Sequence, residues 1–458
     1  MQNVLKSPRN GCGLHGAVQT IEEIGGVVPI VHANAGCVIQ NYLANKASGL
    51  GQGYVSGESV PSTDVQERHV IFGGASRLRE QIKNTIKVVN GDLYIVLNSC
   101  ESAMVGDDIE AMTREAQEQG EAVIECLTAG FHGDSHYGYE SVVTDIIKKL
   151  PLVKKNDLKK DVKLVNIFGI LPQRDIYYKG NIAAIKQILE DLGVMVNTFF
   201  GPQNGVEEFA NAPNASLNLV FSKWGNAPAD QLNAQYGIPK LVFSSLPTGP
   251  KAVAEFVKQA AEALSLEEEV VNVYLEENEH NFRYYFRGII DSYYEEAAGK
   301  SVALVGDESN VIQLASFLRD YLGALIEVVI VTDYFGKEEL PKNEKSKLLD
   351  SLANEVYFTQ DGKEITDILI HSDIELILGS SLENQAAEEK EILNLEISYP
   401  VYSKTIINKT YTGIQGALTL AEDYITTVKK ANRLRDEQLL SYICLLYTSD
   451  AADDRISV

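Results

Sequence analysis

Along nearly the whole of this 458-residue chain, short runs of β-branched apolar residues alternate with stretches whose apolar side chains recur at helical spacing. That alternation constrains the fold more than any other feature. A strand without a polar face must be covered on both sides, and helices packed on both faces of a parallel sheet do so. Strands are predicted over 27–31, 93–97, 122–127, 162–168, 217–221, 240–243, 301–305, 326–331 and 375–378, and helices over stretches such as 77–89 and 251–264. The expected class is α/β, with Rossmann-like units built on mainly parallel sheets.

At about 150 residues per domain the length predicts three such units. The charged segment from Val153 to Asp161 precedes a new strand-helix series and reads as a linker. The acidic, tyrosine-rich stretch 265–299 reads as helical, and Gly299-Lys-Ser-Val-Ala-Leu-Val-Gly-Asp307 opens a further unit. The expected units are 1–155, 160–298 and 299–442. Residues 443–458, containing Cys444-Leu-Leu-Tyr-Thr-Ser-Asp-Ala-Ala-Asp-Asp-Arg455, resemble a translated sequencing adapter; the alternative is a natural, frayed terminus.

Composition removes several function classes. With 40 basic against 64 acidic residues the formal charge is −24, and no Lys/Arg cluster escapes neighbouring carboxylates, so a phosphate-tracking nucleic-acid partner is not expected. No apolar run approaches the roughly 18 residues of a membrane span, and the first residues lack a signal-peptide core, so a cytoplasmic protein with no membrane partner is expected. Gly11-Cys-Gly-Leu-His-Gly16 fits G-x-G-x-x-G by letter but follows a turn rather than a strand. Gly299-Lys300-Ser301 has the tail of a P-loop, but Tyr294 stands where the first glycine belongs. His132 and His136 are separated by a turn, not the helical spacing of a zinc site, and His280 and His371 read as surface or packing residues.

The cysteines carry the sharpest signal. Cys12, Cys37, Cys100 and Cys126 fall in the first 126 residues, none follows until Cys444, and no C-x-x-C pair occurs. Cys37 and Cys100 follow predicted strands through His32-Ala-Asn-Ala-Gly36 and Asn98-Ser99, so both come from strand carboxyl ends, where open α/β sheets place ligands. Cys12 lies between glycines before a helix, on what reads as a looser segment than the two strand ends. Three soft thiolates without a fourth suit an iron-sulfur cluster completed by another chain. The competing reading is three buried free cysteines in a core. Cys126 lies inside a strand and reads as packing.

Cys12, His32-Ala-Asn-Ala-Gly-Cys37, Val70-Ile-Phe-Gly-Gly74, Asn98-Ser-Cys100, Val105-Gly-Asp-Asp108 and Gly138-Tyr139 resemble, in order and spacing, the nitrogenase component 1 family. The likeness is specific over 10–145 and generic over 160–430. It implies an oxidoreductase subunit in which Cys12, Cys37 and Cys100 hold half of an iron-sulfur cluster, of the P-cluster or four-iron type, shared with an α-type component 1 chain in a heterotetramer. Electrons would come from a separate ATP-hydrolysing iron protein and pass to the α-type partner. No cysteine occurs between Cys126 and Cys444, so the chain resembles the β-type partner rather than the holder of the large catalytic cofactor. His32, Gly36 and Ser99 adjoin the ligands; His32 would either tune the cluster or simply pack. Gly130 stands where many β-type chains have a serine near the cluster. Asp107 and Asp108 read as caps of a helix. With only eleven residues before Cys12, the chain is leaner than conventional β chains, which points to a nitrogenase-like or divergent group. Two other readings stay open: a scaffold for cofactor assembly, and a metal-free binding module of the same fold.

Overall fold

The structure is a computed structural model that describes residues 5–40, 60–154, 158–159, 161–202, 204–334 and 344–453, with side chains described for these except at 344–346 and beyond 437. Among the described residues, three sheets succeed one another along the chain, and every strand pair is parallel. The first has the order β1 (Val27–His32), β2 (Leu93–Asn98), β3 (Val123–Cys126). The second comprises β4 (Leu164–Phe168), β5 (Met195–Asn197), β6 (Leu217–Val220) and β7 (Lys240–Val242), in the order β5-β4-β6-β7. The third comprises β8 (Ser301–Gly306), β9 (Leu325–Val331), β10 (Glu355–Phe358), β11 (Leu376–Gly379) and β12 (Leu393–Glu396), in the order β10-β9-β8-β11-β12.

β1, β2 and β4 are buried at every position, the pattern of strands covered on both faces. Pro29, which cannot donate to a ladder, sits in β1, at the edge of its three-stranded sheet. The strands that the sequence pattern does not reveal, β5, β10 and β12, all lie at sheet edges. An edge strand is covered incompletely and can carry residues such as Asn394 and Glu396, so no continuous apolar run marks it.

The units interlock. The apolar cores of the first and second sheets form one continuous cluster from Leu14 to Val271. The helices Gly13–Glu22 and Ser135–Val153 pack so closely that a Cβ on Gly16 would fall 1.9 Å from the Ser135 carbonyl oxygen, and one on Gly138 would fall 2.2 Å from that of Gly13. The neighbouring Tyr139 hydroxyl accepts from the backbone of Gly169, 3.0 Å away, just past β4. The N-terminal segment crosses to the third unit, where Arg9 pairs with Glu383 at 2.6 Å. The long helix Gly413–Asp453 packs against both the second and third units. Its backbone stays helical through residue 453, with no break near 443; the Cys444 side chain lies outside the described residues. No described helix is long and apolar enough to cross a membrane.

Candidate metal centre

Each of the three cysteines stands at the start of a helix. Cys12 is the N-cap of Gly13–Glu22. Cys37 lies in the first turn of a helix that begins at residue 35, where the Asn34 side-chain oxygen accepts from the N–H groups of Gly36 (2.8 Å) and Cys37 (3.3 Å). Cys100 is the first residue of Cys100–Val105, with Ser99 as the cap accepting from Ser102 N–H. Free N–H groups and the helix dipole favour an anionic sulfur at such positions. Gly36 and Ser99 thus shape the turns that carry the thiols.

Cys12 is not on a loose segment, contrary to the expectation from its flanking glycines. Its backbone pairs with Asp134 in an antiparallel bridge, Gly13 N–H donates to Gly133 O (3.0 Å) and Ser135 N–H to Gly11 O (2.8 Å). Glycine at position 13 serves close packing rather than freedom, since a Cβ there would lie 3.1 Å from the Tyr137 ring and 3.2 Å from the Thr128 carbonyl oxygen.

Gly130 brings two of the sulfurs together. A Cβ there would lie 3.4 Å from Cys12 Sγ, 3.3 Å from Cys100 Sγ and only 2.9 Å from Cys12 Cβ. The hydrogen at that position leaves room for both thiols beside one point of backbone, and Gly130 N–H donates to Cys100 Sγ at 3.2 Å. Cys37 joins them electrostatically: burial pushes its thiol up to about 11, and the charges of Glu101, Cys12 and Cys100 act in the same direction. Cys12 behaves oppositely. Burial alone would raise its thiol, but the hydrogen bond and charge of His15 outweigh it and hold the group below its ordinary value.

His15 and Glu101 are the functional neighbours that the sequence motifs do not single out. His15 Nδ1 lies 3.5 Å from Cys12 Sγ and its Nε2 lies 3.3 Å from the Cys37 carbonyl oxygen, so one ring joins two of the cysteine turns. Its spacing of three from Cys12 at a helix start was the available signal. Glu101 accepts from Asn34 N–H at 3.1 Å and so links the Cys37 and Cys100 turns.

The remaining residues divide clearly. Cys126 is buried in β3, 1% exposed, and its thiol is raised by burial and then by Asp145. His32 is buried with Nδ1 on Thr63 Oγ1 (3.0 Å) and Nε2 on Asp107 (2.9 Å), while its carbonyl accepts from Ser99 N–H (3.1 Å) and Ser102 Oγ (2.9 Å). Its ring supports the strand ends and the Gly74 turn rather than a sulfur. Of the two aspartates read as caps, Asp108 caps Ile109–Glu118, whereas Asp107 bonds His32 and Gly74 N–H (2.6 Å). Both ring nitrogens of His136 are engaged, by Asp134 at 3.1 Å and Asp307 at 2.8 Å, so it is an internal tie and not a zinc ligand. Among the described residues no group of three His, Cys, Asp or Glu is set closely enough to hold a single metal ion.

Stacked parallel α/β units with thiols gathered at one edge define a class of multi-unit Rossmann-like proteins. Within it the particular family is also determined: the model of the nitrogenase component 1 type oxidoreductases matches residues 12–429, and the chain belongs to that family. The nitrogenase molybdenum-iron protein beta chain of Methanothermobacter marburgensis is 23% identical over 462 residues, covering 93% of this chain and 95% of that one. The nitrogenase iron-molybdenum cofactor biosynthesis protein NifE of Methanococcus maripaludis is 27% identical over 304 residues, covering 65% of this chain and 59% of that protein's length. Among solved structures, one described as nitrogenase Cp1 at pH 6.5 superposes with a TM-score of 0.77 at 20% identity, covering 94% of each chain, and shares the fold.

Proposed function

We propose that this chain is the β-type, electron-relaying subunit of a nitrogenase or nitrogenase-like reductase, with Cys12, Cys37 and Cys100 holding half of an iron-sulfur cluster at the junction with an α-type chain. One observation carries the reading: the Cβ-free cradle of Gly130, against which two thiols converge, with the Cys37 turn tied to them through His15 and Glu101. Soft sulfur donors suit iron. Such a cluster supplies one-electron transfer between an ATP-dependent iron protein and the partner chain. The protein's own part is to fix three thiols at helix starts, to donate Gly130 N–H to Cys100, and to hold the Cys12 thiol below its ordinary value through His15. Cys100 is exposed, and the thiol-bearing turns and their neighbours present Ile39 (56% exposed), Met104 (81%) and Phe131 (54%), an apolar rim suited to a partner chain.

The second reading, a subunit of a cofactor-assembly scaffold, is supported by the likeness to the cofactor biosynthesis protein NifE. Co-expression with an α-type chain and rapid mixing with reduced iron protein and ATP separates the two. The electron-relay reading predicts ATP-dependent reduction of a cluster in the complex and substrate turnover. A complex that carries iron but transfers a preformed cofactor to another protein, with no turnover of its own, would establish the scaffold reading.

A further inference from the structure

The surroundings of the three thiols differ in sign. Cys12 Sγ lies 3.5 Å from His15 Nδ1, and Cys100 Sγ accepts from Gly130 N–H at 3.2 Å. Among the described residues no donor reaches Cys37 Sγ; the bonds at this residue are to its backbone N–H and carbonyl. What stands beside the Cys37 turn instead is a carboxylate. Glu101 Oε1 accepts from Asn34 N–H at 3.1 Å, and the side-chain oxygen of the same Asn34 accepts from the N–H groups of Gly36 and Cys37. Glu101 is half-buried and directly follows Cys100, so it reaches from one cysteine turn to another.

Other acids of this unit have cations of their own. Glu110 pairs with Arg114, Glu115 with Arg79 and Lys83, and Glu125 with Lys149, whereas no described Lys or Arg pairs with Glu101. A half-buried charge is screened less than one on the surface, so it acts at short range on whatever the thiols hold. Each contact then has a definite direction. A sulfur bound to iron can only accept, and an N–H aimed at it draws electron density away and favours the reduced state. A carboxylate beside the sulfur favours the more positive, oxidised state. Hydrogen bonds to the sulfurs and net charge are the levers by which a protein sets such potentials. His15 at Cys12 and Gly130 at Cys100 therefore pull one way, and Glu101 at the Cys37 turn pulls the other.

We propose that Glu101 is a positioning residue that acts through Cys37 to hold down the reduction potential of the shared cluster, against the pull of His15 and Gly130. It thereby favours passage of one electron from the cluster to the partner chain. The inference rests on the cluster reading and deepens it. The experiment is a redox titration of the complex with an α-type chain, followed by electron paramagnetic resonance and visible absorbance, beside iron content and thermal unfolding. Glu101→Gln removes the charge but keeps an oxygen for Asn34 N–H, so iron content and melting temperature should stay at the wild-type level. Its cluster should shift toward the reduced state by about tenfold, a rise of about 60 mV for one electron. His15→Phe, which loses the donor to Cys12, should shift the potential downward. Glu190→Gln, at an exposed carboxylate of the second unit, should leave it unmoved. An unmoved or lowered potential in Glu101→Gln, an equal rise in Glu190→Gln, or a rise in His15→Phe would each overturn the proposal. Loss of iron in Glu101→Gln would do so too, by assigning Glu101 to holding the fold. A wild-type complex without a cluster would overturn the cluster reading and this inference together, whereas a wild-type cluster whose potential ignores Glu101→Gln would overturn this inference alone.

Discussion

The cysteine edge of the first unit and the cleft between the second and third units are opposite solutions to holding polar groups in one chain. At the edge, burial first and then the charges of Glu101, Cys12 and Cys100 oppose ionisation of Cys37, while His15 favours it at Cys12. Cys100 and its apolar neighbours open to solvent. In the cleft, acids and bases are matched almost one for one: His136 between Asp134 and Asp307, Arg174 near the same two acids, and Lys223 beside Asp333. The contrast teaches that charge balance marks where a site is complete. On the reading proposed above, iron and a partner chain complete the edge, whereas the charged groups between the second and third units complete one another.

That difference is broken most strongly at the thiols. In a complex with an α-type partner, Cys37→Ala and Cys100→Ala should each lose the iron measured by metal analysis, and Cys12→Ala should do so equally, because its backbone is pinned to Asp134. Iron retained at the wild-type level in any of the three would remove that residue from the ligand set. Next is His136→Leu, which strands Asp134 and Asp307 as buried charges and should destabilise the chain by about 3–5 kcal/mol in denaturant unfolding. Its pH dependence has a definite sign. Burial opposes the charge on His136, but Asp307 and Asp134 overcome it and raise the group from 6.5 to about 9, so its stabilisation is whole below pH 6.5 and is lost as pH rises through about 9. Asp307, whose burial is outweighed by His136 and Arg174, is held well below its ordinary 3.8, and its contribution fades only in acid below that value. Wild-type melting temperature should therefore fall between pH 7 and 9.5, about where His136 deprotonates, and that alkaline fall should be smaller in His136→Leu.

Gly130→Ala follows in size. Its Cβ would meet Cys12 Cβ at 2.9 Å, so about 1–3 kcal/mol of stability and part of the iron should be lost, read by thermal unfolding and metal content together. Smallest is Cys126→Ala, a packing change of about 1 kcal/mol that leaves iron content unaltered. Wild-type iron in Gly130→Ala would show that the cradle is not needed.

Much of the first region was legible in the sequence because its signals are local. β1 and β2 announce themselves as apolar runs, and the cysteines follow them within a few residues. The meeting of Cys12 with Cys100 across Gly130 was not, because it depends on the turn after β3 and on the close helix pair at Gly16 and Gly138. The edge strands β5, β10 and β12 escaped for lack of an apolar run. The cleft was invisible altogether. Arg174, Ser222 and Asn310 are single polar residues beyond β4, beyond β6 and in the helix after β8, brought together only when two sheets face each other. His136 was read from its spacing to His132, while its real partner, Asp307, lies 171 residues away.

The central claim is that the edge is half of a shared site, and iron analysis of the chain purified alone against the chain purified with an α-type partner tests it most directly. The account predicts little iron in the isolated chain and a cluster with its visible absorbance in the complex, lost again in Cys37→Ala. A full iron complement in the isolated chain would contradict it.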